Sequence, residues 1–434
     1  MTVSVPSTAK ASRFFTPIAG VLPSGIVTTN AYDNSVGTYS NITTVYWNSG
    51  QLNTQGQQWE AANVADVTAG VRNTATPRTN PGDNNNHFYH VTEFEFIFTG
   101  TQFEVQCIGT TSYDMQVYVE WGGQMWRVQT EPLAGTTPGT VYRRIAFASP
   151  YHGRIRVHMG GSVFIGIVTE QSAIIKPSPD RLFGICDGDS WADGLGFKQA
   201  SGKSYWSAGL CDFLFERTGI VWARRAQGGT GFFNNGTTTV TDDTADSTNS
   251  TRFFSTSRKG WLTGAGPSGV SDFSDKPLFY LLNGTWNDGS RSGATGSVSG
   301  PMATRALSCY QWIRAQDPWC TIAHVSPQPY NGGGAAGAEN GPPTAGSAHD
   351  LNRQEQQAAI ARVAKAVYIN SFGPTAPWWT GTGGAGSPAT SQQANLLGPD
   401  GVHPAYLGYD FYAGMIAAEL GQTRVPVARA RRQV

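Results

Sequence analysis

Charge is scarce in this chain. Only 14% of its 434 residues are Asp, Glu, Lys or Arg, against about 25% in an ordinary soluble domain. The 30 basic and 30 acidic residues cancel, so no excess of positive charge is available to grip a nucleic acid. Cysteine is scarce as well. Cys107, Cys186, Cys211, Cys309 and Cys320 are scattered, odd in number and without a Cys-x-x-Cys pair. That pattern excludes a disulfide framework and a zinc site of the usual spacing, and it suits small buried hydrophobes. No stretch approaches the ~20 apolar residues of a membrane-spanning helix, so membrane insertion is not expected. Residues 1–20 lack the continuous apolar run of an export signal. What fills the chain instead is Thr, Ser, Asn, Gln and 53 glycines. With 39% hydrophobic and 12% aromatic residues, it has ample material for a folded core. Matches to the glycosylation pattern at Asn41, Asn235 and Asn249 are expected by chance in such a composition.

The chain divides into regions of different pattern. Residues 1–80 form an irregular or β segment with one expected strand at 42–47. Residues 81–176 carry short alternating segments at 93–99, 103–108, 115–121, 125–129, 141–147, 154–158 and 163–169. Gly-containing turns separate several of them, as in an antiparallel sandwich. Residues 1–80 are either separate from that sandwich or part of it. Lys176-Pro-Ser-Pro179 reads as a linker. From Arg181 strands alternate with helices: strands at 182–186, 220–223, 278–282, 321–325 and 367–370, and helices at 205–217, 304–315 and 351–366. Pro404 suits the first turn of a last helix. Such alternation implies a mostly parallel sheet wrapped by helices over 177–423. Three Gly/Ser/Thr/Asn/Pro-rich inserts, 232–276, 328–349 and 373–395, interrupt it; loops of that length are functional or disordered. Residues 424–434, with four arginines, read as a solvated basic tail.

Four small signatures lie at the carboxyl ends of the expected parallel strands, where open sheets of this type place their sites. Gly188-Asp189-Ser190 puts a hydroxyl on a tight strand exit. A rival reading of Asp187, Asp189 and Asp193 as a calcium loop lacks an oxygen ligand at Trp191 and a closing Glu. Ala226-Gln-Gly-Gly-Thr-Gly231 lets backbone N–H groups approach a ligand, but no Gly-Lys-Ser/Thr follows to make a phosphate loop. In Asn283-Gly-Thr-Trp-Asn-Asp288 an Asn amide can donate to a developing oxyanion. In Asp400-Gly-Val-His403-Pro404 a carboxylate across a turn can reach the imidazole and fix its tautomer. His324 and His349 compete as bases, but neither has an Asp three residues before it.

In order and content these blocks resemble the SGNH/GDSL hydrolase family. The likeness covers about 181–420, and its most specific part is the Asp-x-x-His block at Asp400 and His403. The third block carries one additional residue, and Ala226 stands where the second block usually has Asn. The resemblance implies an α/β fold, an SGNH-type three-layer α/β/α domain with a parallel central sheet. An all-β, jelly-roll-like sandwich would precede it, as in some carbohydrate esterases and phage tail-associated deacetylases. It implies Ser190 as nucleophile, His403 as base and Asp400 as the acid that orients it. The oxyanion hole would be the backbone N–H groups of Ser190 and Gly231 with the side-chain amide of Asn287. No metal or cofactor is called for.

Trp191 and Trp286 flank these blocks, and aromatic faces suit sugar rings. The expectation is therefore a serine esterase that removes O-acetyl groups from a polysaccharide. The low-charge Gly/Thr/Asn composition also looks like a phage virion protein. That would place it outside the cell or on the virion, with a capsule or O-antigen as substrate and a second copy or a virion protein as partner. Two alternatives stay open: an inactive carbohydrate-binding or tail-adaptor protein, and a lipase or thioesterase using the same residues.

Overall fold

The computed structural model describes residues 8–37, 39, 41–46, 49–55, 59–61, 71–73, 91–193, 207–226, 228–234, 252–264, 271–326, 345–371 and 403–427. The first strands are Thr8–Lys10 (β1), Val27–Asp33 (β2), Ile42–Tyr46 (β3), Trp59–Ala61 (β4) and Val71–Asn73 (β5). Two very long strands follow: Thr92–Trp121 (β6, 30 residues) and Gly139–Glu170 (β9, 32 residues). Gln124–Arg127 (β7) and Leu133–Gly135 (β8) lie between them, and Ile174–Pro177 (β10) comes after. These nine strands, β2 to β10, form one antiparallel sheet in which β6 and β9 carry most of the pairing.

The seven short strands expected here are thus mostly two long ones. The ladder passes through Gly100, Gly109 and Gly160 with shifts of register, so these glycines mark irregularities inside strands and not turns. Along β6 and β9 side chains alternate as the pleat requires. Phe94, Phe96, Phe98, Val117, Val119, Ile155, Val157 and Met159 enter one apolar core. Glu93, Glu95, Tyr118, Arg156 and His158 point the other way and are buried as well, because the second half of the chain covers them. The expected linker is also different: Ile174–Pro177 pairs with Phe96–Thr99 of β6.

The second half holds five parallel strands: Phe183–Gly188 (β11), Val221–Arg224 (β12), Phe279–Asn283 (β13), Thr321–Val325 (β14) and Ala366–Ile369 (β15). Their order is β12-β11-β13-β14-β15. Successive residues of each strand feed opposite layers: Phe279 and Leu281 join one core, Tyr280 and Leu282 the other. The first layer is covered by Leu210–Thr218 (α2) and Tyr406–Gln422 (α6), the second by Pro301–Gln316 (α4) and Ala348–Ile360 (α5). Ser190–Asp193 (α1) and Thr256–Leu262 (α3) are short. This is the α/β architecture expected, with three layers. Pro404 lies just ahead of α6, whose N-cap is Ala405. Among the described residues no helix is long and apolar enough to cross a membrane.

Where the halves meet, charge is buried and paired. Asp212 on α2 takes Arg224 Nη2 at 2.8 Å and His158 Nδ1 at 2.8 Å, while Arg156 Nε donates to His158 Nε2 at 2.7 Å. The acceptor role of Nε2 puts the imidazole proton on Nδ1, facing Asp212. Glu93, His158 and Asp212 lie close enough to hold a metal ion, but Arg156 and Arg224 already neutralise the carboxylates. The basic tail also differs from expectation at its start. Arg424–Pro426 (β16) pairs with β1 and buries Val425 completely.

Candidate active site

The strand order makes β11 the point where the chain reverses direction across the sheet, and such a switch leaves a crevice at the carboxyl ends of the strands. Gly188 ends β11 there. A Cβ on Gly188 would stand 2.0 Å from the Asn283 carbonyl of β13, so only glycine lets the two strand ends approach. Asp189 follows, its N–H donating to Asn283 O at 3.1 Å. Its carboxylate takes the Trp191 N–H at 3.0 Å and turns the chain straight into α1. Ser190 is the first residue of α1, half-buried. A first helical N–H has no intrahelical acceptor, and none of the described backbone carbonyls takes this one.

His403 arrives from the far side of the sheet edge, just before α6. Its Nε2 lies 2.7 Å from Ser190 Oγ, the geometry a base needs to take the hydroxyl proton. Asp400 lies outside the described residues. The two histidines weighed against it, His324 and His349, stand elsewhere. His324, on β14, is fully buried with Nδ1 bonded to the Tyr310 hydroxyl, and burial pushes its pKa down to about 3. His349, the second residue of α5, stacks on Trp286, ring centroids 3.6 Å apart and 10° from parallel.

Asn287 is brought to this crevice by the first of two short 3-10 turns in Trp286–Ser292, which meet at a kink at Gly289. Its amide nitrogen donates to Thr230 O at 3.0 Å and lies 3.4 Å from Asp189 Oδ2. It therefore bridges the Ser190 turn and the loop after β12. The expectation for Gly231 needs correction. Its N–H donates to Asn234 O at 2.9 Å, so it serves the loop's own turn. Glycine is required there for another reason: a Cβ would sit 2.3 Å from Asp288 Oδ1. The part of that loop facing Asn287 is Thr230, just upstream.

Trp191 needs correction too. It is 3% exposed and lies in the core, edge-on to Tyr412 of α6 at 5.3 Å. The short helix that presents Ser190 turns the next side chain inward, so Trp191 supports the turn and offers no face to a sugar. Trp286 is half-buried beside Asn287.

Two supporting residues were given no role in the sequence reading, although Asp288 closes the third block. Asp288, fully buried, takes the backbone N–H groups of Phe232, Phe233 and Asn234 at 3.0, 2.8 and 3.2 Å, and so fixes the second loop. Arg258 comes from α3, inside the first long insert. It donates to Gly188 O at 2.8 Å, Arg225 O at 2.9 Å and Thr230 Oγ1 at 3.1 Å, and it pairs with Asp187 at 2.8 Å. Burial raises the Asp187 carboxyl, and Arg258 offsets this only in part. The acid read as a possible calcium ligand is therefore the partner of an arginine. An Arg far from any motif gives no local pattern to read; only the fold brings Arg258 to the site.

These features define an SGNH hydrolase fold. No protein-family model matches the sequence, and no curated protein is similar to it. Solved structures are. One is an active-site mutant of a family two carbohydrate esterase from Clostridium thermocellum, with 15% identity and a TM-score of 0.51, covering 88% of this chain and 98% of that one. Another is an acetyl xylan esterase from the rumen bacterium Butyrivibrio proteoclasticus, with 12% identity and a TM-score of 0.50, again covering 88% and 98%. A putative GDSL-like lipase from Bacteroides ovatus shares 11% identity at a TM-score of 0.45, over 86% of this chain and 94% of that one. At 12–15% identity the first two establish the fold. Their 88% coverage takes the likeness beyond the parallel half into the antiparallel one.

Proposed function

We propose that this protein is a serine esterase that removes O-acetyl groups from a polysaccharide through an acyl-enzyme on Ser190. The observation that carries the reading is the 2.7 Å contact between Ser190 Oγ and His403 Nε2 at the strand ends. A serine hydroxyl is a weak nucleophile until a base takes its proton. In this mechanism Oγ bonds the acetyl carbon while His403 accepts the proton. The imidazolium then protonates the departing sugar alkoxide. Water, deprotonated by the same imidazole, cleaves the acyl-serine and releases acetate. Asp400, by the Asp-x-x-His spacing, would accept from Nδ1 and hold the tautomer. The Ser190 N–H and the Asn287 amide are our candidates for oxyanion donors.

Two esterases of the same fold act on carbohydrates, as their names state, and this supports the glycan substrate. Trp286, stacked on His349 beside Asn287, is the candidate sugar contact. We read 81–176, with the N-terminal strands, as a jelly-roll-like sandwich accessory to a catalytic domain at 177–423. The low-charge composition supports a virion or extracellular protein, and recovery of the chain from purified virions or culture supernatant tests that.

The test of the chemistry is acetate release from acetylated polysaccharide and from an aryl acetate, for wild type and Ser190→Ala. Loss of both activities in a folded variant is the expected result. Release that survives the substitution, or no release by wild type, overturns the mechanism. A preference for octanoyl over acetyl esters would move the assignment to a lipase.

A further inference from the structure

α6 carries the catalytic geometry but is poorly held by its own sequence. His403 stands three residues before its first residue. Ala405, at the N-cap, has no side chain to accept a helix N–H, and the first turn has no acidic residue. A start of this kind gains nothing from capping or from the helix dipole, so something else must fix it. The first residue, Tyr406, supplies an anchor across the boundary between the halves. Its hydroxyl donates to Thr130 O at 2.7 Å and accepts from Arg127 Nη1 at 2.6 Å. Burial raises the phenol above its ordinary pKa, so it stays protonated and keeps donating. The ring lies edge-on to Phe213 of α2 at 4.9 Å.

Arg127 is itself rigid. Its backbone N–H donates to Gly20 O at 2.8 Å, its carbonyl takes the Leu22 N–H at 2.7 Å, and its guanidinium pairs with Glu216 at 3.3 Å. Further along, Asp410 is held by Arg217 and Tyr412 donates to Asn283 Oδ1 at 2.5 Å. Those two contacts fix the body of α6 to the parallel half. Among the described contacts, the Tyr406 hydroxyl and Arg127 tie the end next to His403 to the antiparallel half.

We infer that Tyr406 and Arg127 are positioning residues for His403, which makes the antiparallel half part of the catalytic device and not only an accessory. The inference rests on the proposed serine mechanism. Small errors of placement cost catalysis heavily: about 1 Å can cost ~10²-fold. Removing the Tyr406 hydroxyl should therefore slow the steps that need the Ser190–His403 pair while leaving substrate binding intact.

The experiment compares wild type, Tyr406→Phe, Arg127→Gln and the double variant in the full chain. Three quantities are read: kcat and KM on an aryl acetate, the rate of inactivation by a serine-directed organophosphate, and the melting temperature. Tyr406→Phe keeps the ring against Phe213 and so keeps the fold. The expected result is a fall in kcat of about tenfold with KM within twofold, and a parallel fall in organophosphorylation. The double variant should be no slower than the worse single one, because both remove one anchor. An unchanged kcat and inactivation rate in Tyr406→Phe overturns the inference, as does a loss confined to KM or to melting temperature. If wild type neither hydrolyses the ester nor reacts with the organophosphate, the serine mechanism itself has failed, a distinct outcome.

Discussion

The two halves of this molecule use their strands in opposite ways. In the antiparallel half two strands of 30 and 32 residues do most of the pairing, and their irregularities are absorbed inside the ladder. In the parallel half five strands of four to six residues each stop at the same edge, and every stop releases a loop. A long continuous strand presents few ends. A parallel sheet presents many, all on one side, and Ser190, Thr230 and Asn287 sit in the loops after three of them. The comparison teaches that chemistry follows strand endings, whereas length without endings serves packing and contact between halves.

Breaking the parallel edge should destroy catalysis without unfolding the protein. Replacing His403 with Ala is expected to lower kcat/KM on an aryl acetate by about 10³–10⁴, with the melting curve close to wild type. Breaking the buried ion cluster between the halves, away from α6, should do the reverse. Asp212→Asn leaves Arg224 and His158 buried with half their compensation gone. It should cost about 3–5 kcal/mol in denaturant unfolding, with kcat on the surviving folded protein little changed.

A third test uses pH. Burial lifts the Glu216 carboxyl to about 7, and Arg127 only partly opposes it. The folded state thus keeps a proton that the unfolded chain releases near 4.5. Stability from this group is full below about 4.5 and falls as pH rises through 7, by roughly 3 kcal/mol in all. Glu216→Gln should remove that fall, seen as a flatter curve of unfolding free energy between pH 4.5 and 7.5. Asp212 behaves oppositely. Burial alone would raise it, but Arg224 and His158 outweigh burial and hold it down at about 2. Its contribution is present above the ordinary carboxylate range and is lost as pH falls through 2. Last and smallest, Trp286→Ala should raise KM on acetylated polysaccharide by a few-fold, about 1 kcal/mol, and leave aryl acetate turnover alone.

Much of the parallel half was legible because each strand there is bounded by a change of period and a short polar signature. The strand at 321–325 was read as it is found, and Ser190 and His403 were named from two short blocks that the fold brings within hydrogen-bond distance. Side-chain direction was not legible. Trp191 stands beside Ser190 in sequence, yet the start of α1 sends it into the core. Gly231 reads as a ligand-facing glycine, yet it is small because Asp288 lies against it. In the antiparallel half glycine misleads for a different reason. Turn-forming residues and ladder irregularities share a composition, so Gly100 and Gly160 looked like ends where the strand simply shifts register. Val27–Asp33 went unread because its alternation is only half-buried.

The short pair between β1 and β16 has a mechanical meaning. Thr8 faces Pro426, Ala9 faces Val425 and Lys10 faces Arg424, so residues from opposite ends of the numbering close the polypeptide into one great loop with a three-rung latch. Tension applied at positions 8 and 426 would meet that latch at its open end and part it rung by rung, as a zip opens, instead of shearing all three at once. The latch also sets a clock on synthesis. β1 is made before the parallel half, but its partner emerges only after that half has been made.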